Sequence, residues 1–83
     1  MLTTATRLKY RKQAAQKLVH KLVVFELDFD MLLPDARRVI RTERMKLQSA
    51  IDATGGSPLA RDRAITEQMT EALRVADLWG FKL

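Results

Sequence analysis

Apolar residues recur every three or four positions along three stretches of the chain, the spacing that places them on one face of an α-helix. The pattern predicts three helices at about residues 4–27, 32–53 and 58–79, joined by short turns. The predicted buried face of the first helix consists of Leu8, Ala15, Leu18, Val19, Leu22 and Phe25. Those of the second and third consist of Ala36, Val39, Ile40, Leu47, Ala50 and Ile51, and of Ile65, Met69, Ala72, Leu73 and Ala76. We therefore expect residues 1–83 to form a single all-α domain.

Residues with strong preferences for helix ends support these boundaries. Ser57 followed by Pro58 is typical of an N-cap and the first helical position. Gly55 is predicted to end the second helix in a left-handed conformation, and Gly80 is predicted to end the third. Phe81 can then fold back onto the last turn of that helix.

Residues 22–31 fit two structures. Apolar and acidic residues alternate through Phe25-Glu26-Leu27-Asp28-Phe29-Asp30-Met31, which is typical of a β-strand. No second strand candidate exists in the chain, so this strand would have to pair with its copy in another subunit. In a ribbon-helix-helix dimer of that kind, the three carboxylates would face DNA and repel its phosphates. We therefore favour a helix that ends near Leu27, followed by a turn from Asp28 to Asp30.

The formal net charge of +5 arises almost wholly in the first third of the chain. Residues 1–25 contain six basic residues and no acidic one, whereas residues 26–83 contain nine basic and ten acidic residues. The six are Arg7, Lys9, Arg11, Lys12, Lys17 and Lys21. A one-sided basic helix favours a polyanionic partner, most often nucleic acid, with Lys9, Lys12, Lys17 and Lys21 as phosphate contacts. A merely solvated helix face fits the same pattern.

The second helix carries another basic face, made of Arg37, Arg38, Arg41 and Arg44. Arginine forks are suited to bidentate contact with phosphate, so this face is a second candidate for DNA binding. The same arginines could instead form surface ion pairs with Asp35, Glu43 or Asp52. Neither basic set contains interleaved aromatic residues, which argues against a stacking platform for single strands.

The residues that support catalysis or metal binding are scarce. The chain has no cysteine and one histidine, His20, which lies on the lysine-rich face without a nucleophile beside it. We therefore expect no enzymatic activity, no metal site and no cofactor. No apolar run approaches the roughly 20 residues that span a bilayer, and the chain does not begin with a signal peptide. These features predict a soluble, cytoplasmic protein with no membrane partner.

Apolar residues are more numerous than one small core easily buries. A domain of this size is marginally stable alone, and without disulfides or metals self-association is the remaining means of stabilising it. The candidate contacts for a second copy or another partner are Phe25, Leu27, Phe29, Trp79 and Phe81. A well-filled three-helix core is the alternative use of these residues.

The order of these features resembles one class of phage terminase small subunits. A basic amphipathic helix is followed by Phe25-Glu26-Leu27-Asp28, and Leu32-Leu33 opens an arginine-rich helix that closes on Gly55-Gly56. The last helix starts at Ser57-Pro58-Leu59 and ends at Leu78-Trp79-Gly80-Phe81. The resemblance covers about residues 12–83, although this chain is shorter than is usual in the class.

The resemblance implies a non-enzymatic DNA-packaging factor that forms a homo-oligomeric ring in the host cytoplasm. Such a protein engages the viral packaging site and regulates a large ATPase–nuclease subunit. A second hypothesis is a small helical protein-interaction module, an inhibitor or adaptor from a mobile element with no role in nucleic-acid binding. In that case Phe25, Leu27, Phe29 and Trp79 would anchor an acidic protein partner.

Overall fold

Three α-helices make up the computed structural model, which describes residues 3–28 and 34–81. The helices are α1 (Thr4–Asp28), α2 (Pro34–Asp52) and α3 (Pro58–Leu78). Their ends lie within two residues of the predicted ones, and the described residues contain no strand. The predicted all-α, three-helix fold is confirmed.

The helices run up, down and up. Gln16 of α1 contacts Gln48 of α2, and Glu26 contacts Arg41, so these two helices are antiparallel. Two further contacts bring Arg11 to Asp62 and Phe25 to Phe81 at successive levels, so α1 and α3 are parallel. The bundle measures 44 × 23 × 19 Å. One end, here called the amino end, carries the N-termini of both α1 and α3; the opposite carboxyl end carries their C-termini.

The core lies along the common axis and draws on all three helices. The largest fully buried side chains are those of Leu22, Ile40, Leu47 and Ile65. The predicted apolar faces supply nearly all of it, because α-helical spacing keeps those side chains on one side. One assignment was wrong: Leu73 is 43% exposed, and Val75 on the other flank of α3 is buried. The buried stripe of α3 is shifted toward Val75 because this helix packs against both neighbours.

The ends of α3 follow the predicted end signals. The Ser57 side chain accepts a hydrogen bond from the Ala60 N–H at 3.1 Å. At the other end the Phe81 N–H donates to the Ala76 carbonyl and the Gly80 N–H to the Asp77 carbonyl, both at 2.9 Å. These two bonds form a Schellman motif, which requires the positive φ of +84° at Gly80.

The turn between α2 and α3 differs from the prediction in one residue. Gly56, not Gly55, has a positive φ, +91°. An added Cβ at Gly55 would meet nothing within 4 Å, so Gly55 is neither in the left-handed region nor crowded. The left-handed residue therefore lies directly before the Ser57 cap and turns the chain into α3.

Replacement of Ser57 with alanine should lower the free energy of unfolding by about 1 kcal/mol. The Ser57 side chain accepts a hydrogen bond from an N–H group in the first turn of α3 that has no partner within the helix. Chemical denaturation measures the change. Ser49→Ala is the matched control, since Ser49 is exposed in the interior of α2 and should change stability little. Equal effects of the two substitutions would contradict the capping role.

Residues 22–28 are helical, so the strand alternative was wrong for the part of the segment that the structure describes. Phe29, Asp30 and Met31 lie outside the described residues. The physical reason is packing: Leu22 and Glu26, four residues apart, are both buried on the same face of α1. Continuation of the helix to Asp28 places Glu26 against α2, and that contact defines the site described next.

Candidate nucleic-acid interface

Glu26 is a buried carboxylate, 6% exposed, at the end of α1. It accepts hydrogen bonds from Arg41 Nε at 2.6 Å and Arg44 Nε at 3.2 Å, one on each carboxylate oxygen. Arg37 Nη2 donates to the Glu26 carbonyl at 3.4 Å, near the C-terminus of α1, where carbonyls lack partners within the helix. We call these four residues the Glu26 clamp. Burial raises the pKa of Glu26, but the bonds and charges of Arg41 and Arg44 outweigh it and hold the pKa below its ordinary value.

Two further buried carboxylates join the other helix pairs. Glu43 of α2 accepts a hydrogen bond from Gln68 Nε2 of α3 at 2.9 Å and lies 3.8 Å from Lys46 Nζ. Asp62 of α3 accepts one from Arg11 Nε of α1 at 3.0 Å. With Glu26 included, each of the three helices therefore has one buried carboxylate that accepts a hydrogen bond from a neighbouring helix. These bonds fix the axial register of the three helices, because a shift of one turn would leave a buried charge unpaired.

Most of the second predicted basic face is engaged in contacts between α1 and α2. Arg37, Arg41 and Arg44 belong to the Glu26 clamp, so their guanidinium groups already have an intramolecular partner. Of the surface pairs considered from sequence, one is present: Arg38 Nη2 lies 3.8 Å from Asp35, and both side chains are about three-quarters exposed. Phosphate contact by the arginine face would therefore compete with these intramolecular bonds.

The sequence pattern did not identify Glu26 as the partner of these arginines. The favoured prediction placed Glu26 in the first helix but did not include it in that helix's buried face. The signal was nevertheless present, because Glu26 follows Leu22 by four positions and Val19 by seven. A carboxylate at that spacing on an apolar face requires a buried cationic partner.

Lys9, Lys17 and Lys21 lie exposed on the outward face of α1, as does Arg7. None of these four side chains forms an ion pair with a described residue. At 1.5 Å per residue, Lys9 and Lys21 are about 18 Å apart along the helix axis. The part of α1 before Glu26 contains no carboxylate. This surface, which we call the lysine face, is therefore positive without compensation from its own helix.

Lys12 differs from the other three predicted lysine contacts. It is half-buried, and at about 100° per residue it lies about 60° from Lys9, on the side of α1 where Gln16 meets α2. Its ammonium group also has no ion pair with a described residue. Its position makes it a marginal member of the lysine face.

An aromatic side chain on the lysine face was overlooked in the sequence. Tyr10 is 53% exposed, and its angular position about the helix falls between those of Lys17 and Lys21. The expectation that the basic helix lacks an interleaved aromatic residue was therefore wrong. A single exposed tyrosine can stack on one base or pack against a sugar, but does not form a platform for several bases.

The five residues predicted to contact a partner separate into two groups. Phe81 is buried in the core, and its ring centroid lies 5.4 Å from that of half-buried Phe25. Leu27 and Trp79 point outward, 66% and 40% exposed, at the carboxyl end. Leu78, 71% exposed, belongs to the same end of the bundle and was not predicted. Phe29 lies outside the described residues.

Neither a metal centre nor a membrane span is found among residues 3–28 and 34–81. No group of three or more histidine and acidic side chains there could hold a metal ion. The helices within the same ranges are too short or too polar to cross a bilayer.

Comparison with known proteins adds no relative: no family model, curated protein or solved structure matches this chain.

Proposed function

We propose that this chain is a non-enzymatic DNA-binding protein that contacts the phosphate backbone through the lysine face of α1. The observation that carries the proposal is the contrast between two sets of cations. Three of the four arginines of α2 are bound in the Glu26 clamp, whereas Lys9, Lys17 and Lys21 are exposed and have no ion pair with a described residue. Exposed lysines spread along about 18 Å of one helix suit sequence-independent phosphate contact, because each releases condensed counterions from DNA.

A merely solvated helix face explains the same lysines less well. Lysines that serve only solubility are commonly interspersed with acidic residues, which lower repulsion along the helix. Here Lys17 and Lys21 are four residues apart without an acid between them, and the positive charges nearest the start of α1 also oppose its macrodipole. A bound polyanion would offset both the repulsion between the lysines and the unfavourable interaction with the helix dipole.

The proposal includes self-association. Leu27, Leu78 and Trp79 expose apolar surface at the carboxyl end, where α1 and α3 terminate together. Large exposed apolar side chains at one end of a small domain commonly mark a contact between proteins. A second copy of the chain is the proposed partner, as in the oligomeric rings of terminase small subunits.

The resemblance to terminase small subunits supplies the remainder of the proposal. A packaging factor of that class binds viral DNA and regulates a large ATPase–nuclease subunit in the host cytoplasm. The order of a basic helix, an arginine-rich helix and a Pro-initiated last helix supports this assignment. Of these parts, DNA binding by the lysine face has the most direct support, from the exposure of Lys9, Lys17 and Lys21.

A protein-interaction module remains the second candidate. The large exposed fractions of Leu27 and Leu78 favour it, since such side chains could anchor a different protein as well as a second copy. An adaptor of this kind would not need to bind DNA.

Fluorescence anisotropy with a labelled random-sequence duplex tests DNA binding directly. We expect measurable affinity at 50 mM salt, and a fall in log affinity against log salt with a slope of about −3 to −5, as three to five phosphate contacts predict. Absence of binding at 50 mM salt would refute the proposed function and favour the interaction module.

Light scattering after size exclusion, at two protein concentrations, tests self-association. We expect a discrete oligomer in the wild type and dissociation in Leu27→Asn/Leu78→Asn, since both side chains are exposed and their loss leaves the core unchanged. The matched control is Met45→Asn, an exposed apolar residue of α2 that is 56% exposed. A monomeric wild type at both concentrations would contradict self-association.

A further inference from the structure

A cleft of about 570 Å³ opens between the first three turns of α1 and those of α3, toward the amino end. Because α1 and α3 are parallel, the positive ends of two helix dipoles lie at this end of the bundle. Arg7 and Arg11 line the cleft from α1, and Arg63 lines it from α3. The fold thus brings together basic residues that are more than 50 positions apart in sequence.

The charges in the cleft do not cancel. Arg11 is bound to buried Asp62 at 3.0 Å, so that pair is neutral and forms one wall. Arg7 and Arg63 are exposed, and neither forms an ion pair with a described residue. Glu67 is the remaining acid of the lining; it is exposed and likewise has no ion pair with a described residue. The lining therefore carries three positive and two negative charges, with both unpaired arginines available to one anion.

The cleft continues the lysine face. Around α1, Arg7 lies about 40° from Lys21 and about 80° from Lys17, on the side that leads to α3. Along the helix axis it lies about 15 Å from Lys17, toward the amino end. A DNA backbone that runs along the exposed lysines toward the amino end can therefore reach Arg7, and Arg63 lines the same cleft from α3.

We propose that this cleft holds a phosphodiester group of the DNA backbone between Arg7 and Arg63, which extends the DNA contact from α1 onto α3. The inference rests on the proposed function and deepens it. It adds two arginines that form a seat for one phosphate, whereas the lysines act as separate point charges.

The test is duplex binding by Arg7→Gln/Arg63→Gln, measured by anisotropy at several salt concentrations. We expect affinity to fall about tenfold at 100 mM salt and the magnitude of the salt slope to fall by about 2, one for each lost contact. Arg38→Gln/Arg74→Gln is the matched control, because it removes the same formal charge from exposed arginines already paired with Asp35 and Glu71. The control should retain affinity within about twofold.

A second substitution should act in the opposite direction. Glu67→Gln removes the exposed carboxylate from the cleft and should tighten DNA binding about threefold, since it repels the seated phosphate. Asp77→Asn, the same charge change on an exposed residue at the carboxyl end, should have a smaller effect. A gain of affinity cannot result from misfolding, so this pair tests the seat independently of stability.

Two outcomes separate the inference from the function on which it rests. If Arg7→Gln/Arg63→Gln binds like its control while replacement of the exposed lysines abolishes binding, the cleft is not a phosphate seat and the lysine face stands. If the wild type does not bind the duplex, both are refuted.

Discussion

Arg41→Gln/Arg44→Gln is expected to lower the free energy of unfolding by about 3 kcal/mol at pH 7. The double substitution leaves Glu26, 6% exposed, without either of its cationic partners. Removal of the partners of a buried charge costs far more than loss of a surface ion pair, because the remaining charge is desolvated without compensation. For a domain of this size, 3 kcal/mol is a large share of the total stability. Urea denaturation followed by circular dichroism measures the change.

The destabilisation should depend on pH. In the wild type the pKa of Glu26 is held below its ordinary value, so its contribution to stability is complete above about pH 5 and is lost as the pH falls through the folded-state pKa. Without Arg41 and Arg44, burial alone acts on Glu26 and raises its pKa. The difference in stability between wild type and variant should therefore narrow as the pH falls from 7 toward 3.

Two controls separate the Glu26 clamp from a general effect of charge. Arg38→Gln/Arg74→Gln removes the same charge from exposed ion pairs and should lower the free energy of unfolding by less than about 1 kcal/mol. Glu26→Gln should lower the free energy of unfolding by less than the double arginine variant does. The Arg41 and Arg44 side chains are 57% and 28% exposed, so their charged groups can be hydrated when Glu26 is replaced.

The same arginine variant distinguishes the clamp from a DNA contact. If Arg41→Gln/Arg44→Gln retained full stability but lost affinity for DNA, the α2 arginines would be phosphate contacts and the Glu26 clamp would have no structural role. We expect the opposite result. Arg41→Gln/Arg44→Gln should lower the free energy of unfolding, and its DNA affinity should be close to that of Arg38→Gln/Arg74→Gln, which removes the same charge.

Replacement of Lys9, Lys17 and Lys21 with glutamine should weaken duplex binding about a hundredfold at 100 mM salt and reduce the magnitude of the salt slope by about 3. These lysines are exposed and have no ion pair with a described residue, so their loss leaves no buried group unpaired. Glutamine keeps a similar helix propensity, and thermal stability should therefore change little. Anisotropy titrations and thermal melts measure the two effects on one preparation.

The loss of DNA affinity should depend on which charges are removed, and not only on how many. Arg38→Gln/Lys46→Gln/Arg74→Gln removes the same net charge from residues that are paired with acids. Equal loss of affinity in the two triple variants would contradict the lysine face as the contact surface. Addition of Lys12→Gln to the triple lysine variant should weaken DNA binding by a further factor of less than about three. The reason is that Lys12 is half-buried on the side of α1 that faces α2.

The sequence alone determined that the chain forms three helices, and how α3 begins and ends. Apolar spacing indicated which side of each helix is buried, and Ser57 and Gly80 indicated the limits of α3. These predictions succeeded because their causes are local: a cap bonds within four residues, and helical periodicity repeats every turn. Where local signals conflicted, as at Glu26, the sequence left the structure open.

Only the tertiary structure decided which basic face remains available to a partner. Both sets looked alike in sequence, but a contact across 15 positions binds Arg41 to Glu26, and nothing in the described chain pairs with Lys17. The same holds for Phe81 and Trp79, two residues apart, of which one is buried in the core and the other is 40% exposed. The physical reason is that burial and ion pairing depend on which helices pack together, and helix packing joins residues that no local pattern relates.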